Sequence, residues 1–167
     1  MTVNRRQALG GGAALLMSGI GGLRMTLATD SPAVAFLDKS ALIYLTPLRS
    51  NGKESTCHGE LWFVHYSSEI FAVTQSDAWR AEALRRGLQR ATIWIGEFGP
   101  WKKSKNHYRS APRLIIEGQI ETEAKVHEAV LASYAAKYAD EWGSWGPRFN
   151  KGLADGSRVM LRYKVIA

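Results

Sequence analysis

The sequence predicts a mainly β protein with helices: one antiparallel domain of six strands behind an N-terminal leader. Three observations carry that prediction. Short runs rich in β-branched and aromatic residues recur along the chain, turn residues such as Asn51-Gly52 separate them, and only a few stretches show helical character. With 167 residues and 46% hydrophobic content, the chain is long enough for one packed domain and too short for two.

Ala33 to Lys39 reads as a short helical entry, and Ala41 to Leu48 as an apolar strand ended by the turn at Asn51-Gly52. The return strand, Cys57 to Tyr66, carries aromatic and β-branched residues. Ile70 to Thr74 follows after the polar break at Ser67-Ser68, completing a three-strand meander.

Chain character then changes. Ser76 or Asp77 can cap a helix over Ala78 to Leu88, with Trp79, Ala83 and Leu84 as a partial apolar side and Gly87 at its end. Thr92 to Phe98 and Arg113 to Ile120 read as strands separated by a basic, aromatic loop from Gly99 to Pro112. Glu123 to Tyr138 sets Val126, Ala129, Val130 and Tyr134 at helical spacing. A loop over Asp140 to Asp155 leads to the sixth strand, Arg158 to Val165, and no internal repeat is present.

The leader has its own signature. Arg5 and Arg6, in Asn4-Arg5-Arg6-Gln7-Ala8-Leu9, precede an uncharged run rich in glycine and alanine, Ala8 to Leu23. This resembles the twin-arginine signal family, whose apolar segment is less hydrophobic than that of an ordinary secretory signal. The resemblance implies a signal peptide over 1–30, cleaved near Thr26-Leu27-Ala28, and a domain over 31–167. It further implies a periplasmic or otherwise exported protein, passed folded through the twin-arginine translocase with any cofactor loaded beforehand. An ordinary secretory signal or a retained anchor is the alternative.

The formal charge is +7. Without residues 1–28 the chain keeps nineteen basic and fifteen acidic side chains, which suits an anionic small-molecule ligand but not the dense basic stripe of a nucleic-acid binder. Nucleic acid is not an expected partner. Cys57 is the single cysteine, so no intramolecular disulfide or cysteine-based metal site can form, and its expected place is as a small buried hydrophobe.

The order of elements from Phe36 to Val165 resembles the pyridoxamine 5'-phosphate oxidase-like, FMN-binding split-barrel family. Two local motifs carry the likeness: Tyr44-Leu45-Thr46, Asn51-Gly52 and the Trp62-Phe63 pair, then Thr74, Arg80 and Leu84. The chain departs from the family in having Arg80 for lysine, Ala83 for asparagine, and no proline before Trp62. The resemblance implies a six-stranded split β-barrel, a homodimer, and FMN laid between subunits. Tyr44, Thr46, Trp62 and Phe63 would lie near the ring, and Thr74, Ser76 and Arg80 near the phosphate. Within this superfamily a deazaflavin, haem or no cofactor are the alternatives, so an oxidoreductase and a cofactor-free or haem-binding protein both stay open.

The residues have their own chemistry. A strand ending in hydroxyls and turning into a helix directs Thr74, Ser76 and amide N–H groups at one spot, where Arg80 could grip a phosphate with parallel hydrogen bonds. Alternatively Ser76 or Asp77 only caps the helix, and Arg80, Arg85 and Arg86 form a solvated face with Glu82 and Arg86 paired. No catalytic acid or base stands out. His58 and His65, seven apart on an extended stretch, fall on opposite faces, and a joint metal site is not expected. His107, in the basic loop, is the histidine best placed for a substrate. Trp101, Trp142, Trp145 and Tyr108 sit in loops, where large aromatics line an interface or a pocket.

Overall fold

The computed structural model describes residues 31–167; the signal peptide expected over 1–30 and its expected cleavage near Thr26-Leu27-Ala28 lie outside the described residues. A 3-10 turn, Pro32–Phe36, precedes β1 (Leu42–Pro47), β2 (Gly59–Trp62), β3 (Val64–Tyr66), β4 (Glu69–Gln75), α1 (Trp79–Arg85) and β5 (Arg90–Ile95). After a loop come β6 (Arg113–Glu121), α2 (Ala124–Lys137), α3 (Ala139–Asp155) and β7 (Arg158–Val165). The strands pair antiparallel in the order β2-β1-β5-β6-β7-β4-β3.

There are seven strands where six were expected, because the segment read as one strand over Cys57 to Tyr66 breaks at Phe63. The reason is a change of partner. β2 pairs with β1 at one edge of the sheet, and β3 pairs with β4 at the other. One extended segment thus supplies both edges, and the sheet closes into a split barrel. At the break, the Phe63 N–H donates to the Tyr138 hydroxyl at 3.0 Å, and that hydroxyl lies 2.8 Å from the carbonyl oxygens of Phe63 and Ala41. A tyrosine on the outer helix layer satisfies the backbone where no strand can.

Strand alternation sorts the residues into two layers. Ile43, Leu45, Ile70, Ala72, Ile93 and Leu161 fill the barrel. Phe71, Val73 and Met160, one residue out of phase, face outward under Val130, Tyr134 and Phe149 of α2 and α3. Gly118 on β6 is required by the interior, since a Cβ there would collide with the Tyr163 ring and the Arg162 carbonyl.

The stretch expected as a loop, Asp140 to Asp155, is a helix. Gly143, Gly146, Pro147 and Gly152 argue for a loop, but Trp142, Trp145 and Phe149 recur at helical spacing and pack on the barrel. Pro147 deprives the carbonyl of Gly143 of its donor, and Gly143 is exposed, so water can replace it. Gly146 is buried because the Trp142 indole lies where a Cβ would be.

Helix α1 is shorter than expected and begins at Trp79. Ala78 occupies the cap position, and neither Ser76 nor Asp77 supplies a side-chain cap. Its buried residues are Ala81 and Ala83, while Trp79 is an exposed aromatic. The expected pair of Glu82 with Arg86 forms at 2.8 Å. After β1 the chain turns through Gly52, whose φ of +76° favours glycine, and the return strand starts only at Gly59.

Candidate functional site

The ring-side residues separate into three environments. Tyr44 faces outward from β1 and is buried beneath the loop that follows β5. Its hydroxyl accepts from the Phe98 N–H at 2.8 Å and donates to the Gly99 carbonyl at 2.7 Å. The ring stacks on Tyr108 at 4.6 Å with 12° between planes, and burial raises the phenol's pKa. Thr46, on the same face, is fully buried with its hydroxyl 2.7 Å from His58 Nδ1. Burial, and then Arg109, lower the pKa of His58 and favour the neutral ring.

Trp62 is half-buried on the outside of the barrel. It stacks on Tyr138 at 4.5 Å and 6°, and meets Trp145 edge-on at 5.7 Å. Phe63 points the other way, fully buried among the barrel residues.

The phosphate-side residues gather only in part. Arg80 Nη1 donates to Thr74 Oγ1 at 2.7 Å, and Thr74 is 3% exposed. Thr74 continues the inward phase of Ile70 and Ala72, so the pair sits at one end of the barrel interior. Gly59 makes room for it, since a Cβ there would overlap Arg80 Nη2. Arg80 Nε is buried without a hydrogen-bond partner. Ser76 does not join them: its N–H donates to the Ser157 carbonyl at 2.9 Å, and its own carbonyl accepts from Arg85 Nη1 at 2.6 Å. Cys57 is half-buried nearby, its thiol pushed up by burial and drawn down by Arg80.

Of the seven, Trp62 lines an open groove. That groove encloses about 300 Å³ on the outer face of the barrel, and its walls are Trp62, Trp145 and Phe149, with Glu60 and Arg158 also lining it. The Arg158 guanidinium lies 5.4 Å from the Phe149 centroid and 6.0 Å from that of Trp145. Val73 lines this groove, so Thr74, its neighbour in the strand, faces the opposite side of the sheet. Glu60 Oε2 accepts the Trp101 N–H at 3.1 Å.

No histidine lines the groove. His58 is taken by Thr46, His65 Nδ1 lies 2.9 Å from Asp38, and His127 Nε2 lies 3.0 Å from the Glu121 carbonyl. His107 is exposed in the short 3-10 turn His107–Ser110. Arg158 and Phe149 were not among the residues singled out by sequence. The spacing of Trp142, Trp145 and Phe149 was the signal that could have found the helical wall.

No family model matches the chain, and no curated protein matches it by sequence. Solved structures do match by fold. A candidate pyridoxamine 5'-phosphate oxidase from Listeria innocua aligns with TM-score 0.51 and 13% identity over 80% of this chain and 90% of that one. HutZ, the heme storage protein of Vibrio cholerae, aligns with TM-score 0.55 and 12% identity over 80% and 87%. Campylobacter jejuni ChuZ aligns with TM-score 0.56 and 9% identity over 79% of this chain, which spans 50% of ChuZ. The fold is therefore the pyridoxamine 5'-phosphate oxidase-like split barrel. At these identities the likeness concerns the fold alone.

Proposed function

We propose that this is an exported split-barrel protein that binds FMN in the Trp62 groove and acts as a flavin-dependent oxidoreductase on a small molecule. The observation that supports it is the groove's composition: three aromatic walls suited to a planar ring, and Arg158 suited to a phosphate. Export rests on the Arg5-Arg6 leader. The groove is open on one side, which suits a ring covered by a second copy in a homodimer.

When bound, the flavin supplies hydride or electron transfer as its own chemistry. The chain's residues bind and orient. Trp62 is held flat by Tyr138, and α3 sets Trp145 and Phe149 around it. Haem is the weaker fit, because an axial histidine is missing from this groove although HutZ, a heme storage protein, shares the fold.

The test is an absorption spectrum of the protein purified with and without added FMN, together with titration of tryptophan fluorescence. A flavin spectrum and quenching, both lost in Trp62→Ala and Arg158→Ala, are expected. A protein that takes up no flavin, or shows a Soret band with haem instead, overturns the reading. Loss of binding in Arg80→Ala with retention in Arg158→Ala would move the phosphate to the barrel end and overturn the placement.

A further inference from the structure

The charge of this domain is concentrated in one place. Residues 31–167 hold nineteen basic and fourteen acidic side chains; residues 98–116 hold five of those basic side chains, Lys102, Lys103, Lys105, Arg109 and Arg113, and none of the acids. The rest of the domain is balanced at fourteen of each. The connection between β5 and β6, residues 96–112, holds four of these basic side chains and one acid, Glu97, and Arg113 opens β6, so most of the domain's net positive charge belongs to this stretch.

That connection is a packed platform. Tyr44 ties down Phe98 and Gly99 from below, Glu60 holds the Trp101 N–H, and Ser104 bonds back to the Trp101 carbonyl at 2.8 Å. Tyr108 is buried between Tyr44 and Trp94. The lysines of this stretch remain exposed to solvent, Lys102 with its Nζ 5.9 Å from the Trp101 ring centroid. Lys102, Lys103, Lys105 and Arg113 are all exposed, and none makes an ion pair among the described residues. Arg109 is the exception, bonded to Glu54 at 2.8 Å and lying over Trp94.

The same loop exposes an aromatic ring. Phe98 is 37% accessible, beside Gly96 and edge-on to Tyr44. Exposed lysines on a packed loop that also carries a partly exposed phenyl group suit a surface that offers both negative charge and an apolar layer. A soluble polyanion would use only the first; an anionic bilayer uses both.

We propose that the loop between β5 and β6 docks this domain on an anionic phospholipid surface, with Lys102, Lys103, Lys105 and Arg113 contacting headgroups and Phe98 entering the interface. Headgroup attraction is screened by salt, and each basic residue near the surface strengthens partitioning about fivefold.

The experiment is vesicle co-sedimentation of the full chain, with the leader present in every variant so that its own contribution cancels. Vesicles are of equal parts phosphatidylglycerol and phosphatidylcholine, or of phosphatidylcholine alone. Binding to the anionic vesicles at low salt is expected to fall about a hundredfold in Lys102→Ala/Lys103→Ala/Lys105→Ala. The control Arg85→Ala/Arg86→Ala/Arg90→Ala removes three charges elsewhere and should leave binding unchanged, and circular dichroism checks that both variants fold. Phe98→Ala should weaken vesicle binding but not binding to polyphosphate. Equal losses in the two triple variants, no difference between the two vesicle types, or no effect of Phe98→Ala on vesicles would each overturn the proposal.

Discussion

The Tyr138 hydroxyl and the backbone of Phe63 meet where the barrel closes: the phenol accepts the Phe63 N–H and stands within hydrogen-bond distance of the Phe63 and Ala41 carbonyls. The same ring carries the Trp62 indole on its face. One side chain therefore closes the barrel and backs the Trp62 wall of the candidate groove.

Tyr138→Phe leaves a buried N–H without an acceptor, which costs about 1–3 kcal/mol. Urea unfolding should show that loss. Because the ring remains, Trp62 should keep its stacking, so ligand binding to the folded variant should change far less than stability.

Tyr44→Phe acts on the basic loop. Removing the hydroxyl frees the Phe98 amide, and hydrogen exchange there should accelerate about tenfold, in line with one lost hydrogen bond. Protection of β1 and β5 should be retained. Unchanged exchange at Phe98 would show that Tyr108 and Trp94 hold the loop without the hydroxyl.

Gly118→Ala should destabilise the barrel by about 2 kcal/mol or more, because the new methyl meets a backbone carbonyl as well as the Tyr163 ring. Thermal denaturation checks it. Gly59→Ala should be milder, since the atom it meets is the end of the Arg80 side chain.

Lys137 gives a pH dependence. Its Nζ is buried without a hydrogen-bond partner, 3.6 Å from the Phe63 centroid, and burial lowers its pKa from 10.5 to about 8 while Asp38 and Glu97 oppose the shift. The unfolded chain thus holds more protons between these values than the folded one. This contribution to stability should rise as pH climbs from about 8 to 10.5, and be least favourable below 8. Lys137→Met should flatten that rise and stabilise the protein at neutral pH by about 1 kcal/mol. Chemical denaturation across this range, variant against parent, decides it.

Much of the barrel is legible in the sequence because strand alternation and turn residues are local signals. Ile70 to Thr74 and Arg158 to Val165 need only their own residues to be recognised. The break at Phe63 is not local: it exists because Tyr138, far along the chain, takes over the backbone bonds. Helix α3 was obscured by Gly143, Gly146, Pro147 and Gly152, each of which argues for a loop until the packing of Trp142, Trp145 and Phe149 is known. The site follows the same rule. The contact of Thr74 with Arg80 is short-range and legible, whereas the groove depends on α3 lying against Trp62. Motif spacing places Trp62 and Thr74 in two successive segments of the chain but does not say that these pair at different ends of the sheet order or that the two residues lie on opposite faces.

The position of β7 governs when this protein can exist at all. It follows every other described element in the chain, yet it sits between β6 and β4 in the sheet. During synthesis the earlier strands can form a curl and a hairpin, but the gap between them stays open until Arg158 to Val165 leaves the ribosome. A truncation within the final strand would therefore leave the two parts of the sheet unjoined, however well each forms by itself.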